Sequence, residues 1–491
     1  MSRKRIILVT AGIMLSLFLA SMESTVVATA MPTIVGQLGG LEHYSWVFSA
    51  FMLASTTAVP LYGKLSDLYG RRKLYASAMA LFLIGSVLCG WANSMTTLIF
   101  ARALQGVGAG GIMPLAFILI GEMFTLEQRA KMQGLFSGVW GVSSIIGPLL
   151  GGFLVDQLSW RWIFYINVIP GLVAGALVAL AWQDQARDHK RPAIDYAGAF
   201  LLTVSVVMLL LGLMGTGPSS WVLITGAVVL FILLLWVERR AADPVLPLPL
   251  FRDRLFSTAT AHGILTGWAL FGSISFIPLF VQAVLGTTAT QAGITITPML
   301  LGWVTASIIG TRLMLTVGYR KLGLIGTASF TVGAFLMSQA GMNTSQVSLM
   351  VFVSLMGIGM GLSIPSFLIA VQTTVSRRQL GTATSTLQFS RSIGGTLGVS
   401  VMGAALSARL ASNLVAAQLD PDLVRQLLDP LPGTQVVIAE GARAAMADAI
   451  HLVFMIAFVA AAFAMVTVFF TPRKELTERP PEREPSPVSA D

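Results

Sequence analysis

Glu23 is the residue whose position most demands a chemical explanation. It stands inside the apolar run 6–30. An ionisable group at that depth costs about 3 kcal/mol on insertion scales and marks function by default. Seventeen residues separate it from Ile6, roughly 25 Å along a helix, which sets it in the far half of the run. Arg102 enters early in the run 97–121, which descends from that far side. The two charges can therefore face one another in a central cavity. A nearby cation favours the carboxylate, and isolation favours the protonated acid. A site that passes between those states can exchange a proton for a cationic molecule. A static structural pair is the bland alternative.

The other charges that could work lie in GKLSDLYGRRK, Gly63 to Lys73, which packs one acid and four cations into eleven residues. Asp67, near a helix end, can accept hydrogen bonds from the amides of a neighbouring helix N-terminus. Arg71 or Arg72 can reach Glu122 at the end of its own run, and Gly63 and Gly70 bracket the turn. Such contacts would break and re-form as parts of the molecule move; plain anchoring by positive charge is the alternative. Arg391 lies mid-run with no acid near it in sequence. It can face the cavity, bind an anionic group or pair with Glu23 from across. His262, Gln105 and Gln388 are candidates to line a substrate cavity; a packed neutral imidazole and polar contacts between helices explain them as well. Arg312, nearer a run end, reads as snorkelling.

Glycine is a further signal. GVWGVSSIIGPLLGG, 138–152, carries Gly138, Gly147, Pro148, Gly151 and Gly152 on one helix, and Gly106, Gly108 and Gly110 follow Arg102. Gly and Pro let membrane helices approach closely and bend. Ordinary helix packing explains them equally well.

The elements that must position these residues follow from composition. The 491 residues are 55% hydrophobic and only 11% charged, with a mean hydropathy of +0.79. A soluble domain carries about a quarter charged residues. Many runs are long enough to cross a hydrocarbon core as helices, and they do not alternate as barrel strands would. The chain therefore reads as an all-α polytopic membrane protein. Its net charge of +9 resides mostly in short loops, which sets orientation and argues against nucleic-acid binding. Cys89 is alone, so no intrachain disulfide forms. The four histidines show no metal-ligand spacing, and no nucleophile–base set appears, so an enzyme is not expected. Ala28-Thr29-Ala30 mimics a signal-peptidase site. The run before it is too long for a signal sequence and carries Glu23, so it reads as an uncleaved span.

Fourteen spans are expected: 6–30, 44–67, 74–92, 97–121, 133–155, 161–182, 194–214, 220–237, 258–285, 290–315, 321–340, 346–370, 380–405 and 450–471. With both termini inside, the inner segments collect 24 of the 31 Lys and Arg, the bias expected of a cell-membrane protein with cytoplasmic ends. Trp46, Trp91, Trp160, Trp162, Trp182 and Trp221 fall near span ends, as interfacial tryptophans do. The chain also repeats. LQGVGAGGIMP, 104–114, aligns without gaps on LMGIGMGLSIP, 355–365, and the joint at Gly63 recurs near Gly310 to Lys321 without an acid like Asp67. Parallel repeats are one transporter plan. The expected division is a six-helix bundle at 1–182, a linker with two inserted helices at 183–257, and a second bundle at 258–471. That second bundle includes an outer loop, 406–449, with a short amphipathic helix from Asp420 to Leu428. Residues 472–491 are rich in Pro, Glu and Arg, a disordered composition.

On these residues the sequence resembles the major facilitator superfamily, specifically its fourteen-helix drug:proton antiporters among the bacterial multidrug exporters. The likeness covers nearly the whole chain. Gly63, Asp67, Gly70, Arg71 and Arg72 match the loop between helices 2 and 3. Arg102, Gln105, Gly106, Gly108 and Gly110 match the helix-4 motif tied to proton transfer. Gly138, Gly147, Pro148, Gly151 and Gly152 match the helix-5 antiporter motif. WRWIFYINVIPG, 160–171, is also similar to the family. MESTVVATAMP, 22–32, resembles the helix-1 motif, with Glu23 where the family usually has Asp.

The resemblance implies two six-helix bundles that alternate between inward and outward openings. Protons entering from outside would drive export of hydrophobic or cationic small molecules, with no cofactor beyond the proton gradient. Membrane lipids would surround a single copy. Export of a native lipid or metabolite is a second reading, since Glu23 is the lone acid well inside a span. A non-transporting membrane sensor is a third, from another class; it needs no antiporter motif and would carry a signalling domain, which the sequence lacks.

Overall fold

The computed structural model describes residues 2–38, 44–183, 195–214, 217–241, 244, 246, 248–287, 289–376, 379–416 and 440–473. Among them the long helices are α1 (Arg3–Leu38), α2 (Tyr44–Tyr69), α3 (Arg71–Trp91), α4 (Met95–Met123), α5 (Leu126–Gln157), α6 (Val168–Ala181), α7 (Tyr196–Met214), α8 (Pro218–Glu238), α9 (Arg254–Leu279), α10 (Ala289–Val317), α11 (Tyr319–Ser338), α12 (Gln346–Thr374), α13 (Leu380–Ala416) and α14 (Glu440–Phe469). Among the described residues twelve helices are long and apolar enough to cross a membrane, so this is a multi-pass membrane protein. Two of the fourteen expected spans fall outside that group. One is α7, whose apolar stretch is described over Ala197–Leu213. The other is α5.

The repeat seen in sequence is a repeat in space. α4 and α12 are each 29 residues long, and each begins at a serine cap. Ser94 accepts from the Thr97 amide, and Ser345 accepts from the Ser348 amide. Each cap satisfies one of the donors that a helix start leaves unpaired. Packing repeats as well. α4 packs on α2 and α3, and α12 on α10 and α11; α1 packs on α5 and α6, and α9 on α13 and α14. Between the two sets, α2 lies on α13 and α5 on α10. Because α10 and α13 are the repeats of α2 and α5, these two crossings are equivalent under the pseudo-symmetry. The inserted pair α7 and α8 pack mainly on each other, with α7 touching α2 and α13.

The joints between α2 and α3 and between α10 and α11 are single glycines. Gly70 has φ 102° and ψ 148°, and Gly318 has φ 85° and ψ 150°. That region of backbone space is essentially open to glycine alone. It lets one helix end and an antiparallel one begin with no loop between them.

Two expectations differ from the structure. α13 continues to Ala416 and α14 begins at Glu440, so the expected outer loop 406–449 is helical at both ends. Leu406, Leu410 and Leu414 continue the buried face at a spacing of four, and Asp448 of α14 accepts from Arg409 and Asn413. The expected short helix from Asp420 to Leu428, and the tail from residue 474, lie outside the described residues. Trp160 and Trp182 are buried, not interfacial. Trp160 donates to Gln37 Oε1 at 2.9 Å and lies under the Arg161 guanidinium.

Gly70→Val is expected to lower unfolding stability by about 1–3 kcal/mol. Gly293→Ala should not, because a side chain there meets no neighbour within 4 Å. Thermal unfolding read by labelling of the buried lone thiol of Cys89 distinguishes the two.

Candidate functional site

Glu23 and Arg102 meet inside the packing of α1, α4 and the turn before α6. Both side chains are 1% exposed, and Arg102 Nη1 lies 2.6 Å from Glu23 Oε1. The pair is enclosed on every side. Arg102 also donates to Gln105 Oε1 at 2.7 Å and to the Val47 carbonyl at 3.2 Å, and its guanidinium stacks over the Phe51 ring. The second oxygen of Glu23 accepts from Asn167 Nδ2 at 2.7 Å. Asn167 and Gln105 both reach Ser86 Oγ, which donates to the Phe164 carbonyl. Each charge is thus neutralised and each oxygen of the carboxylate accepts a hydrogen bond, the condition under which an ion pair survives in low dielectric. The sequence leads one to expect a pair lining a central cavity. In this conformation it is sealed instead, because Gln105, Ser86 and Asn167 fill the space around it.

Asn167 and Ser86 are partners that the sequence reading did not single out. Asn167 stands in WRWIFYINVIPG, and a polar amide flanked by Ile and Val was the available signal. Helix geometry brings it to Glu23 because the chain breaks into a short helix, Trp162–Tyr165, and then restarts with Asn167 at the cap of α6.

A second cluster joins the two repeats where α2 meets α3, here termed the basic face. Asp67 lies against the first turn of α13. Its carboxylate accepts from the Gly381 amide at 3.2 Å, the Thr382 amide at 2.7 Å and Thr382 Oγ1 at 2.8 Å. The first amides of a helix have no partner within it, and the helix dipole favours an anion there. Gly381 makes the approach possible: a Cβ in its place would fall 2.7 Å from Asp67 Cγ. On the other side Arg71, 2% exposed, pairs with Asp67 at 2.6 Å and with Glu122 at 3.0 Å, and donates to Ser66 Oγ. Arg72 is exposed. Gly63 packs directly on Ser385 of α13. Close by, Gln372 of α12 donates to the Phe117 carbonyl of α4 at 3.3 Å. The basic face is therefore closed by bonds between the repeats.

The second repeat keeps the backbone of this joint, and the cations of Arg72 and Lys73 as Arg320 and Lys321, but drops the charges of Asp67 and Arg71. Tyr319 stands where Arg71 stands after the joint glycine, and donates its hydroxyl proton to the Pro472 carbonyl at 2.7 Å. Leu315 occupies the place of Asp67.

The glycines of α5 fall into two groups. Gly134 and Gly141 face Ile308 and Val304 of α10 across the contact between the repeats. A side chain at Gly138 or Gly152 would meet nothing within 4 Å, so close packing does not account for those two in this conformation. Gly147 and Gly151 are buried on the same helix, which also carries Pro148.

The candidate cavity residues separate. Gln105 belongs to the Glu23 network and lines no cavity with the others. His262, Gln388 and Arg391 do come together, around a small cavity between α9, α12 and α13. His262 Nε2 shares a hydrogen bond with Thr327 Oγ1 at 2.9 Å, and its ring packs on Phe367. Arg391 does not pair with Glu23, which Arg102 occupies. Among the described residues no group of three or more His, Cys, Asp or Glu could hold a metal ion.

Asn167→Leu leaves one oxygen of a buried carboxylate without its donor. The expected cost is about 1–3 kcal/mol of stability, read as a lower unfolding temperature, while Asn167→Gln should recover part of it. Unchanged stability in the leucine variant would show that the amide does not hold Glu23.

Comparison with known proteins agrees with this architecture. The proton:xylose symporter XylE superposes with a TM-score of 0.66 at 14% identity, over 96% of this chain and 97% of its own; at that identity the likeness speaks for the fold alone. Multidrug transporter protein MdtP of Bacillus subtilis is 40% identical over 437 residues, 87% of this chain and 79% of MdtP. Multidrug resistance protein 3 of the same organism is 36% identical over 487 residues, 94% of each chain. The model of the Major Facilitator Superfamily matches residues 13–399. With its repeated helical sets and these relatives, the chain belongs to the major facilitator superfamily, a family of transporters and not of enzymes.

Proposed function

We propose that this chain is a proton-coupled exporter working by alternating access, with its termini and the basic face in the cytoplasm. One arrangement carries the reading: a carboxylate and a guanidinium held 2.6 Å apart, both sealed inside membrane-spanning helices. Apolar residues of the same volume would be as stable or more so, and intramembrane charge is retained chiefly where it works. Protonation of Glu23 would neutralise it and leave Arg102 with Gln105 and the Val47 carbonyl. That change of one charge is large enough to reset how α1, α4 and α6 pack.

The Asp67 cluster supports the mechanical half of the reading. Its bonds cross from α2 to the start of α13, so opening the cytoplasmic face must break them. The empty space beside Gly138 and Gly152 suits a second conformation in which neighbours close on α5. The positive-inside bias supports the orientation. The repeated contacts support two six-helix bundles, 1–182 and 258–471, joined through 183–257, and fourteen spans once α5 and α7 are counted. The names of the relatives, a multidrug transporter and a multidrug resistance protein, support drug-like small molecules as substrates, which this reading takes to be amphipathic, cationic ones among them. A single copy contains the whole arrangement.

Two outcomes test the proposal. In proteoliposomes with an imposed pH gradient, Glu23→Gln should lose at least tenfold of gradient-driven ethidium transport while remaining folded. Undiminished transport by that variant would remove Glu23 from the coupling. Asp67→Asn should slow turnover several-fold and change apparent affinity little; poorer affinity at equal turnover would remove the latch from the cycle.

A further inference from the structure

We infer that the cavity between α9, α12 and α13 binds the anionic group of an amphipathic compound through Arg391 and Gln388. The inference rests on the transporter reading for its purpose, and on the cavity itself for its chemistry.

Among the described residues, Arg391 makes no hydrogen bond or ion pair, either within the cavity or across it. The fully buried arginines behave differently. Arg102 has Glu23, Gln105 and Val47 as partners, and Arg71 has Asp67, Glu122 and Ser66. Arg391 lies eleven residues into α13, roughly 17 Å from its start, near the middle of a hydrocarbon core about 30 Å thick. A guanidinium without an anion at that depth is costly. What is missing is a partner.

Gln388 repeats the pattern one turn earlier. It is 5% exposed, and its buried Nε2 has no hydrogen-bond partner. Residues three apart share a helix face, so Gln388 and Arg391 present unused N–H donors to one space. His262 does not supply the complement, since Thr327 and Phe367 already engage its ring, and no acid lines the cavity. Five fixed guanidinium donors and an amide donor, with no carboxylate among them, match a group with several acceptor oxygens and a negative charge. Carboxylate, sulfonate and phosphate esters share that chemistry.

The size and walls of the space define the rest of the ligand. The cavity is about 30 Å³, room for a small polar group or one to two waters. Its remaining walls include Ile364, Phe367, Leu368 and Leu387, which would lie against an apolar body attached to the anionic group. The cavity is partly open, so such a body can extend out of it.

The test uses the full chain purified in a non-ionic maltoside, with unfolding read by thermal exposure of Cys89. The probes are decanesulfonate, decyltrimethylammonium and inorganic phosphate. Decanesulfonate should raise the unfolding temperature of the wild type by several degrees, and decyltrimethylammonium should not. Arg391→Gln should weaken the response to decanesulfonate at least tenfold in concentration, and Gln388→Leu should weaken it less. Without ligand, Arg391→Gln should unfold at the wild-type temperature or above, because it removes an unpartnered charge; a clear fall would assign Arg391 a structural role and overturn the inference. Equal stabilisation of wild type and Arg391→Gln, or stabilisation by the cation alone, would also overturn it. An equal shift with inorganic phosphate would overturn the amphipathic ligand. The assay needs no gradient, so its failure leaves the transport reading standing, and failed transport leaves the binding result readable.

Discussion

A charge inside a membrane is costly without a partner, and the arrangement of this molecule follows from where, among the described residues, that need is met and where it is left open. Glu23 and Arg102 meet it by pairing at 2.6 Å and by recruiting Asn167, Gln105 and the Val47 carbonyl for the remaining donors and acceptors. Coulomb attraction in low dielectric offsets desolvation only when both halves of the pair are so satisfied. The network ties α1, α4 and the cap of α6 to one point. A change in the protonation of that carboxylate would therefore be felt by three elements of the first repeat together.

The repeats share their backbone plan and differ in charge. Serine caps open α4 and α12, and glycines in the same unusual conformation open α3 and α11. These are features that helix geometry demands of either copy. The Asp67–Arg71–Glu122 cluster has no such necessity, and the second repeat replaces it with Leu315 and Tyr319. The carboxylate of the first repeat is thereby free to serve the helix start of the second, since α13 crosses α2. A symmetric pair of charged joints would double the bonds to be broken on opening. With one charged joint, the Asp67 bonds lie at a single crossing, that of α2 with α13.

The second repeat instead holds an unpartnered cation. Arg391 and Gln388 give it an electropositive cavity walled by apolar residues, while the first repeat keeps its acid and base closed on one another. Proton exchange and ligand recognition would then occupy different halves, coupled mainly through the contacts of α2 with α13 and α5 with α10. Those helices are where the glycines of α5 stand and where Asp67 binds.

Much of the fold was legible from the residues alone. Apolar runs of membrane length, Lys and Arg gathered in alternate loops, and LQGVGAGGIMP repeated as LMGIGMGLSIP define a helical membrane protein with two related halves. Glu23, Arg102, Asp67 and Glu122 stood out because burying charge is costly whatever the surroundings. Helix length was less legible: α13 runs on to Ala416 because packing, and not hydropathy, covers Leu406, Leu410 and Leu414. The partners were least legible. Asn167 lies 144 residues from Glu23, and the Thr382 amide 315 from Asp67; a backbone amide carries no signature in sequence at all. By itself the sequence determined which groups must find partners. The tertiary structure decided which partners they find, and which cation is left without one, because only the packing of helices distant in sequence sets those distances.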